Sequence, residues 1–213
     1  MATEVEICNL ALGHLGDTAT VASIDPPEGS AQAEHCSRFY PVARDILLQA
    51  HDWNFSTRRI QLAQLSEVPY GWTYAYARPD GALDVFDIQL PETMDFARES
   101  QAFVCEVDAD GNDVIYTDVS NAVARYTMRV TDTTKFPPLF TLALSWQLAG
   151  LLAGPILKGD VGAAEAKRCA QMAAAYLGEA KVADARQRKV PLNHTASGIV
   201  GPDRTAPTNP WGR

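Results

Sequence analysis

Phe136-Pro137-Pro138-Leu139-Phe140-Thr141-Leu142-Ala143-Leu144-Ser145-Trp146-Gln147-Leu148-Ala149-Gly150-Leu151-Leu152-Ala153-Gly154-Pro155-Ile156-Leu157 runs without a charged residue. A stretch of this length is long enough to cross a bilayer as a helix. Prolines, glycines, Thr141, Ser145 and Gln147 interrupt it, and neither end carries an aromatic belt with a Lys/Arg cluster. The reading that fits is a helix buried all round inside a globule or an oligomer. Pro137 or Pro138 falls in its first turn, where a missing N–H costs little.

Working outward, a last helix is expected from about Asp160, a candidate N-cap, through Ala163, Ala166, Ala170, Met172, Ala173, Tyr176 and Leu177 to about Arg188. Its alanines permit close helix packing. Beyond it, Pro191, Pro202, Pro207 and Pro210 and few apolar residues describe an extended arm that cannot build its own core. At the other end, Thr3 is placed to cap a first amphipathic helix carrying Ile7, Leu10 or Ala11, and His14 or Leu15, with Gly16 as its stop. Ser30 caps a second, through Ala33, Phe39, Tyr40, Ala43, Ile46, Leu47 and Ala50 to Trp53, which Pro41 should kink or divide.

Between the helical parts the period changes from helical to alternating. Ile60, Leu62 and Leu65 alternate with polar residues, as do Trp72 to Ala77 before the turn Arg78-Pro79-Asp80-Gly81. Val85, Phe86 and Ile88 continue the strand-like pattern, and a further strand is expected from Ala122 to Val130. Phe103 to Val107 and Val114 to Thr117 flank an Asp/Asn/Gly turn, the clearest hairpin signal in the chain. The expected fold is α+β: a helical bundle in two parts, residues 1–56 and 131–188, an inserted β-rich lobe, 57–130, and a C-terminal arm, 189–213.

The chain's 213 residues carry a net charge of -8. That balance argues against a surface that wraps nucleic acid by neutralising phosphates. Arg186, Arg188, Lys189, Arg204 and Arg213 against Asp203 make the end of the chain basic and the body still more acidic. Cys8, Cys36, Cys105 and Cys169 lie far apart, and the N-terminus lacks a basic stretch followed by an apolar run. Free thiols made in a reducing cytoplasm are expected.

Motifs that carry chemistry fail one by one. Asp108-Ala109-Asp110-Gly111-Asn112-Asp113 spaces oxygen donors as a calcium loop does, but Asp113 stands where that loop needs Gly and Val119 where it needs Glu. A solvated hairpin turn is the expectation. Cys8, His14, His35 and Cys36 lack any zinc-ligand spacing, and His51 beside Asp52 is no dyad because neighbours on a helix point apart. Gly159 to Glu165 has two glycines but neither the Lys nor the Ser/Thr of a phosphate loop. Trp72, Tyr74 and Tyr76 could stack bases, yet no Lys or Arg interleaves them, so core or subunit packing is expected. No catalytic residue, metal or cofactor is assigned.

Several pieces, taken in order, resemble one family. They are Asn9-Leu10-Ala11-Leu12-Gly13-His14-Leu15-Gly16, the loop with Ile24 and Glu28-Gly29, and the helix with Cys36, Phe39-Tyr40, Arg44-Asp45 and Leu48 that ends in Trp53-Asn54-Phe55. Gly71-Trp72-Thr73-Tyr74-Ala75-Tyr76 ahead of Pro79-Asp80 follows, then Phe136 to Phe140, Ala143-Leu144 and Leu148-Ala149. Their order and spacing resemble the tail tubular protein A, or head-to-tail adaptor, family of short-tailed bacteriophages (podoviruses), up to about Gly178. The chain departs from that pattern at Gly81, and the arm has no counterpart.

The resemblance implies a non-enzymatic structural virion protein at the head-tail junction. It would form a homo-oligomeric ring, a dodecamer, between the portal protein and the tail nozzle protein, with DNA passing through without being held. Portal binding is expected of the arm, through Arg186, Arg188, Lys189, Arg204, Trp211 and Arg213. Subunit or nozzle contacts are expected of Trp72, Tyr74 and Tyr76, with Trp146 as a further apolar candidate. The alternatives are a head-completion or neck protein of another phage type, a small cell-wall hydrolase, and a plug that binds packaged DNA.

Overall fold

Thr3 opens the first helix with a reciprocal cap. In the computed structural model, which describes residues 2–18, 20–66, 71–91 and 101–187, its hydroxyl accepts from the Glu6 N–H at 3.1 Å and the Glu6 carboxylate accepts from the Thr3 N–H at 2.7 Å. This capping box satisfies two of the N–H groups a helix start leaves without partners. Helix α1 (Glu4–His14) buries Ile7, Cys8, Ala11 and Leu12, and leaves Leu10 exposed. Gly16, at φ 75°, takes the left-handed conformation just past its end.

Ser30 caps α2 (Ala31–Gln49), its hydroxyl accepting from the Ala33 N–H. Of the kink or division expected at Pro41, the division does not occur, and the helix continues through it. Pro41 is exposed, so a ladder bond lost there is on the solvent side. The helix stops before Trp53, and Ile46, expected inward, is exposed.

Among the described residues seven strands follow: β1 (Thr57–Gln61), β2 (Gln64–Leu65), β3 (Tyr74–Ala77), β4 (Ala82–Gln89), β5 (Phe103–Val107), β6 (Asp113–Thr117) and β7 (Val123–Met128). All pair antiparallel, in two sheets of order β1-β7-β4 and β2-β3-β6-β5. Leu62, Tyr76, Val85, Ile88, Ile115, Ala124 and Tyr126 from both sheets share one buried cluster. A smaller apolar group, Ala75, Val114 and Tyr116 with Leu65, Trp72 and Val104 against them, lies apart from it.

Helix α3 (Pro138–Leu157) carries Pro137 at its N-cap and Pro138 in its first turn. It packs against α1, α2 and α4. Every residue of it except Pro138 and Gly154 is buried or largely so. Length and composition would allow it to cross a membrane. Here its apolar surface is met by other helices, as expected of a core helix.

Helix α4 (Gly159–Ala185) begins earlier than expected, with Lys158 rather than Asp160 at the cap position, and ends before Arg188. Lys158 and Gly159 both adopt φ 55°, and this pair turns the chain between two long helices. Ala163 and Ala170 face outward, and the packing face is instead Gly162, Cys169, Ala173 and Ala180. A Cβ on Gly162 would stand 2.9 Å from the Ala153 carbonyl oxygen, so glycine there is what lets α4 lie close on α3.

The molecule is thus an α+β fold. One large core joins α1 to α4 and takes in Trp53, Val130 and Phe136. The β1-β7-β4 sheet meets it beside α2, where Asp45 Oδ2 accepts from Arg129 Nε at 2.9 Å and Gln49 Nε2 donates to the Leu83 carbonyl at 3.2 Å.

Candidate functional site

Trp53-Asn54-Phe55 is where the helical and β parts are bolted together. The Trp53 indole N–H donates to the Leu47 carbonyl at 2.8 Å, and its ring meets Phe140 edge-on with centroids 5.1 Å apart. Phe55 packs against Phe136 and Phe140. Asn54 reaches the far end of α4: its backbone N–H donates to Asp184 Oδ1 at 3.1 Å, and its Nδ2 to the Asp184 carbonyl at 2.8 Å and to Oδ2 at 3.0 Å. His51 Nε2 stands 3.3 Å from the same Oδ2.

Asp184 is 5% exposed, and a buried carboxylate persists only with such partners. The carboxylate partner of His51 is therefore Asp184 and not its neighbour Asp52, and the set holds the last turn of α4 in place. Arg186, two residues on, is exposed and begins the basic stretch expected to bind the portal. Arg188, Lys189, Arg204, Trp211 and Arg213, the rest of that expectation, lie outside the described residues.

A second cluster ties α1, α3 and α4. The His14 ring stacks on Trp146 with centroids 3.6 Å apart and planes 5° from parallel. Its Nε2 lies 3.0 Å from Ser145 Oγ, whose hydroxyl donates to the Leu142 carbonyl at 2.8 Å. The Arg168 guanidinium sits 5.2 Å from the Trp146 centroid, donates to the His14 carbonyl at 3.0 Å and pairs with Glu165 at 2.6 Å. Burial, then the nearby Arg168 charge, lowers the His14 pKa from its usual 6.5. Trp146, a candidate subunit contact from sequence, already has one face covered by His14 within its own subunit.

The three lobe aromatics do not form one contact surface. Tyr76 is 1% exposed; its hydroxyl donates to the Val119 carbonyl at 2.8 Å and accepts from the Ala122 N–H at 3.4 Å. It is a core residue, which corrects its expected contact role, because the strand's inward face points between the sheets. Tyr74 is half-buried against the same core. Trp72 precedes β3 and packs in the other apolar group, with Leu65, Ala75 and Tyr116.

The acidic turn closes on itself. Asp108 Oδ1 accepts from the Asp110 N–H at 3.0 Å and the Asn112 N–H at 2.8 Å, and Oδ2 from Asn112 Nδ2 at 3.0 Å. These bonds, the Asn112 side chain's first, lower the Asp108 pKa. The carboxylate is occupied in making the turn. Cys8 and Cys36 meet as a buried thiol pair whose hydrogen bond, followed by burial, pushes the Cys8 thiol far up. His14 turns to Ser145 instead, and His35 packs near Phe39. Among the described residues, no group of three His, Cys, Asp or Glu is placed to hold a metal ion.

Comparison with protein-family models and with curated proteins finds no match. The chain's geometry shows two side-chain latches within the helical part, one around Asp184 and one around His14. The Asp184 latch had no sequence signal, since its partners lie 130 residues apart.

Proposed function

We propose that the chain is a structural subunit of a bacteriophage particle, forming a homo-oligomeric adaptor ring between the portal protein and the tail nozzle protein. The observation that carries the reading is a division of charge. The basic stretch begins at Arg186, directly after the latched end of α4, while the chain as a whole carries -8. A basic arm leaving an acidic body from a fixed point suits docking to an acidic groove on a partner. An acidic body suits a channel through which DNA must slide, because it repels phosphates.

The residues that carry the family resemblance also support it. Trp53-Asn54-Phe55 and Phe136 to Phe140 are packed on one another, and Asn9 clamps the following loop: its Nδ2 donates to the Val21 carbonyl at 2.9 Å and its Oδ1 accepts from the Val21 N–H at 2.7 Å. They are a scaffold for a rigid building block. The ring copy number, twelve, comes from the resemblance alone.

The test is electron microscopy and mass measurement of the full chain, alone and mixed with the portal oligomer of its phage. Rings seated on portals are expected. A chain that stays monomeric and never joins a portal refutes the reading. Removing residues 190–213 should weaken portal attachment and spare folding; unchanged affinity would refute the arm's role while leaving the ring.

A further inference from the structure

Cysteines that lie far apart in the sequence are not all apart in the fold. Cys105 is exposed on β5, and Cys169 lies against Gly150, between α4 and α3. Cys8 on α1 and Cys36 on α2 are each 0% exposed in the core of the helical part, with their sulfurs in hydrogen-bond contact. Neither the Asp184 latch nor the His14 cluster involves them.

The course of the two helices makes this meeting a property of their backbones. Gln32 Nε2, in the first turn of α2, donates at 3.2 Å to Asp17 Oδ2, just past the end of α1. At the other end of α1, Glu4 and Cys8, one turn apart, both stand close enough to Tyr40 to act on its hydroxyl electrostatically. Residue numbers therefore rise along α1 as they fall along α2, and the helices run antiparallel with Glu4 towards Tyr40 and Cys8 towards Cys36. One turn further, the same register sets Ala11 against Ala33, both 0% exposed. Two alanines leave the backbones free to approach at this level. A disulfide needs its Cβ atoms about 3.5–4.5 Å apart, and facing positions with small neighbours are where two helices come that near.

We infer that Cys8 and Cys36 are an oxidation site, at which a peroxide converts the buried thiol pair to a disulfide that joins α1 to α2. The Cys8 S–H donates to Cys36, and this bond, against burial, holds the Cys36 thiol below its ordinary range, so Cys36 is the sulfur that attacks. Its thiolate takes one oxygen of hydrogen peroxide, the O–O bond breaks, and the other oxygen leaves as water, with Cys36 now a sulfenic acid. The Cys8 sulfur then attacks the Cys36 sulfur; the S–O bond breaks and the hydroxyl leaves as a second water with the Cys8 proton. The two thiols have lost two electrons and two protons, and one peroxide has become two waters. Hydrogen peroxide is close to water in size, and a brief local opening of α1 admits it. The inference rests on the particle reading only for its occasion, a chain made among reduced thiols that then serves outside the cell. The bond closes the loop from residue 8 to residue 36, so that α1, held to α3 by His14 and Ser145, is fastened to α2 as well.

The experiment uses the full chain carrying Cys105→Ser, which removes the exposed thiol. The folded protein is treated with a small excess of hydrogen peroxide, quenched with catalase, alkylated in denaturant and digested with trypsin. No Lys or Arg precedes Arg38, so both cysteines fall in one peptide, residues 1–38. That peptide should be lighter by two hydrogens and take no alkyl group until reduced. The oxidised protein should show a Tm higher by about 5–10 °C, returning on reduction. A peptide that stays fully alkylatable, or whose Cys36 proceeds to sulfinic acid without joining Cys8, overturns the inference. So does a bond that forms with Tm unchanged or lowered, since it would join sulfurs that the fold does not hold face to face. None of these outcomes touches the ring reading, which fails on its own test if the chain never joins a portal.

Discussion

Alanine placed at each of two helical glycines of α4 should move stability in opposite directions. At Gly162 the added Cβ would stand 2.9 Å from the Ala153 carbonyl oxygen and 3.5 Å from Gly154 Cα, both backbone atoms of α3. Favourable carbon contacts lie at about 3.5–4.0 Å, so one helix must shift. Overpacking of this kind costs about 1–3 kcal/mol, against at most about 1 kcal/mol gained in helix propensity. The net expectation for Gly162→Ala is a loss of up to about 2 kcal/mol. At Gly178 nothing lies within 4 Å, so Gly178→Ala should keep the propensity gain of about 0.5–1 kcal/mol. For a chain of this size each kcal/mol moves Tm by about 2–4 °C, so the two variants should separate on either side of the natural protein. Urea unfolding followed by circular dichroism measures both, with the slope required to stay constant. Gly162→Ala as stable as the natural protein would refute the close approach of α3 and α4, and a destabilised Gly178→Ala would refute the exposure assigned to that face.

Three further outcomes follow from the latches and thiols. Asp184→Ala removes the carboxylate that accepts from Asn54 and faces His51, for an expected loss of about 1–3 kcal/mol in urea unfolding; a loss below about 0.5 kcal/mol would mean that the latch bears no load. His14 should titrate below 6.5 when followed by NMR. Its pKa is lower folded than unfolded, so just below 6.5 the unfolded chain binds more protons and stability declines as pH falls through that window. A His14→Phe variant should lose that part of the pH dependence, and an unchanged profile would refute the assignment. Alkylation of the native protein should modify Cys105, which is exposed, and reach Cys8, Cys36 and Cys169, which are buried, only in denaturant; rapid native labelling of Cys8 would contradict the packing of α1 on α2.

Helix α4 depends mainly on one neighbouring helix. Its packing contacts are chiefly with α3, whereas α3 also meets α1 and α2. The Asp184 latch at the end of α4 and the Arg168 bond to the His14 carbonyl part-way along it add contacts beyond α3.

What the sequence determined by itself is what neighbouring residues enforce on one another. The Thr3–Glu6 capping box, the Ser30 cap and the hairpin around Asp108 to Asp113 all close within a few residues, and each stands where the chain's local chemistry places it. The α+β class followed from the change of hydrophobic period, a property of the chain read in short windows. Only the tertiary structure decided that β1 sits beside β7 and that His51 belongs to Asp184, because those contacts join residues far apart in sequence and leave no periodic trace. It alone put Tyr76 in the core and Trp72 away from it, since strand alternation defines two faces without saying which one another sheet will cover.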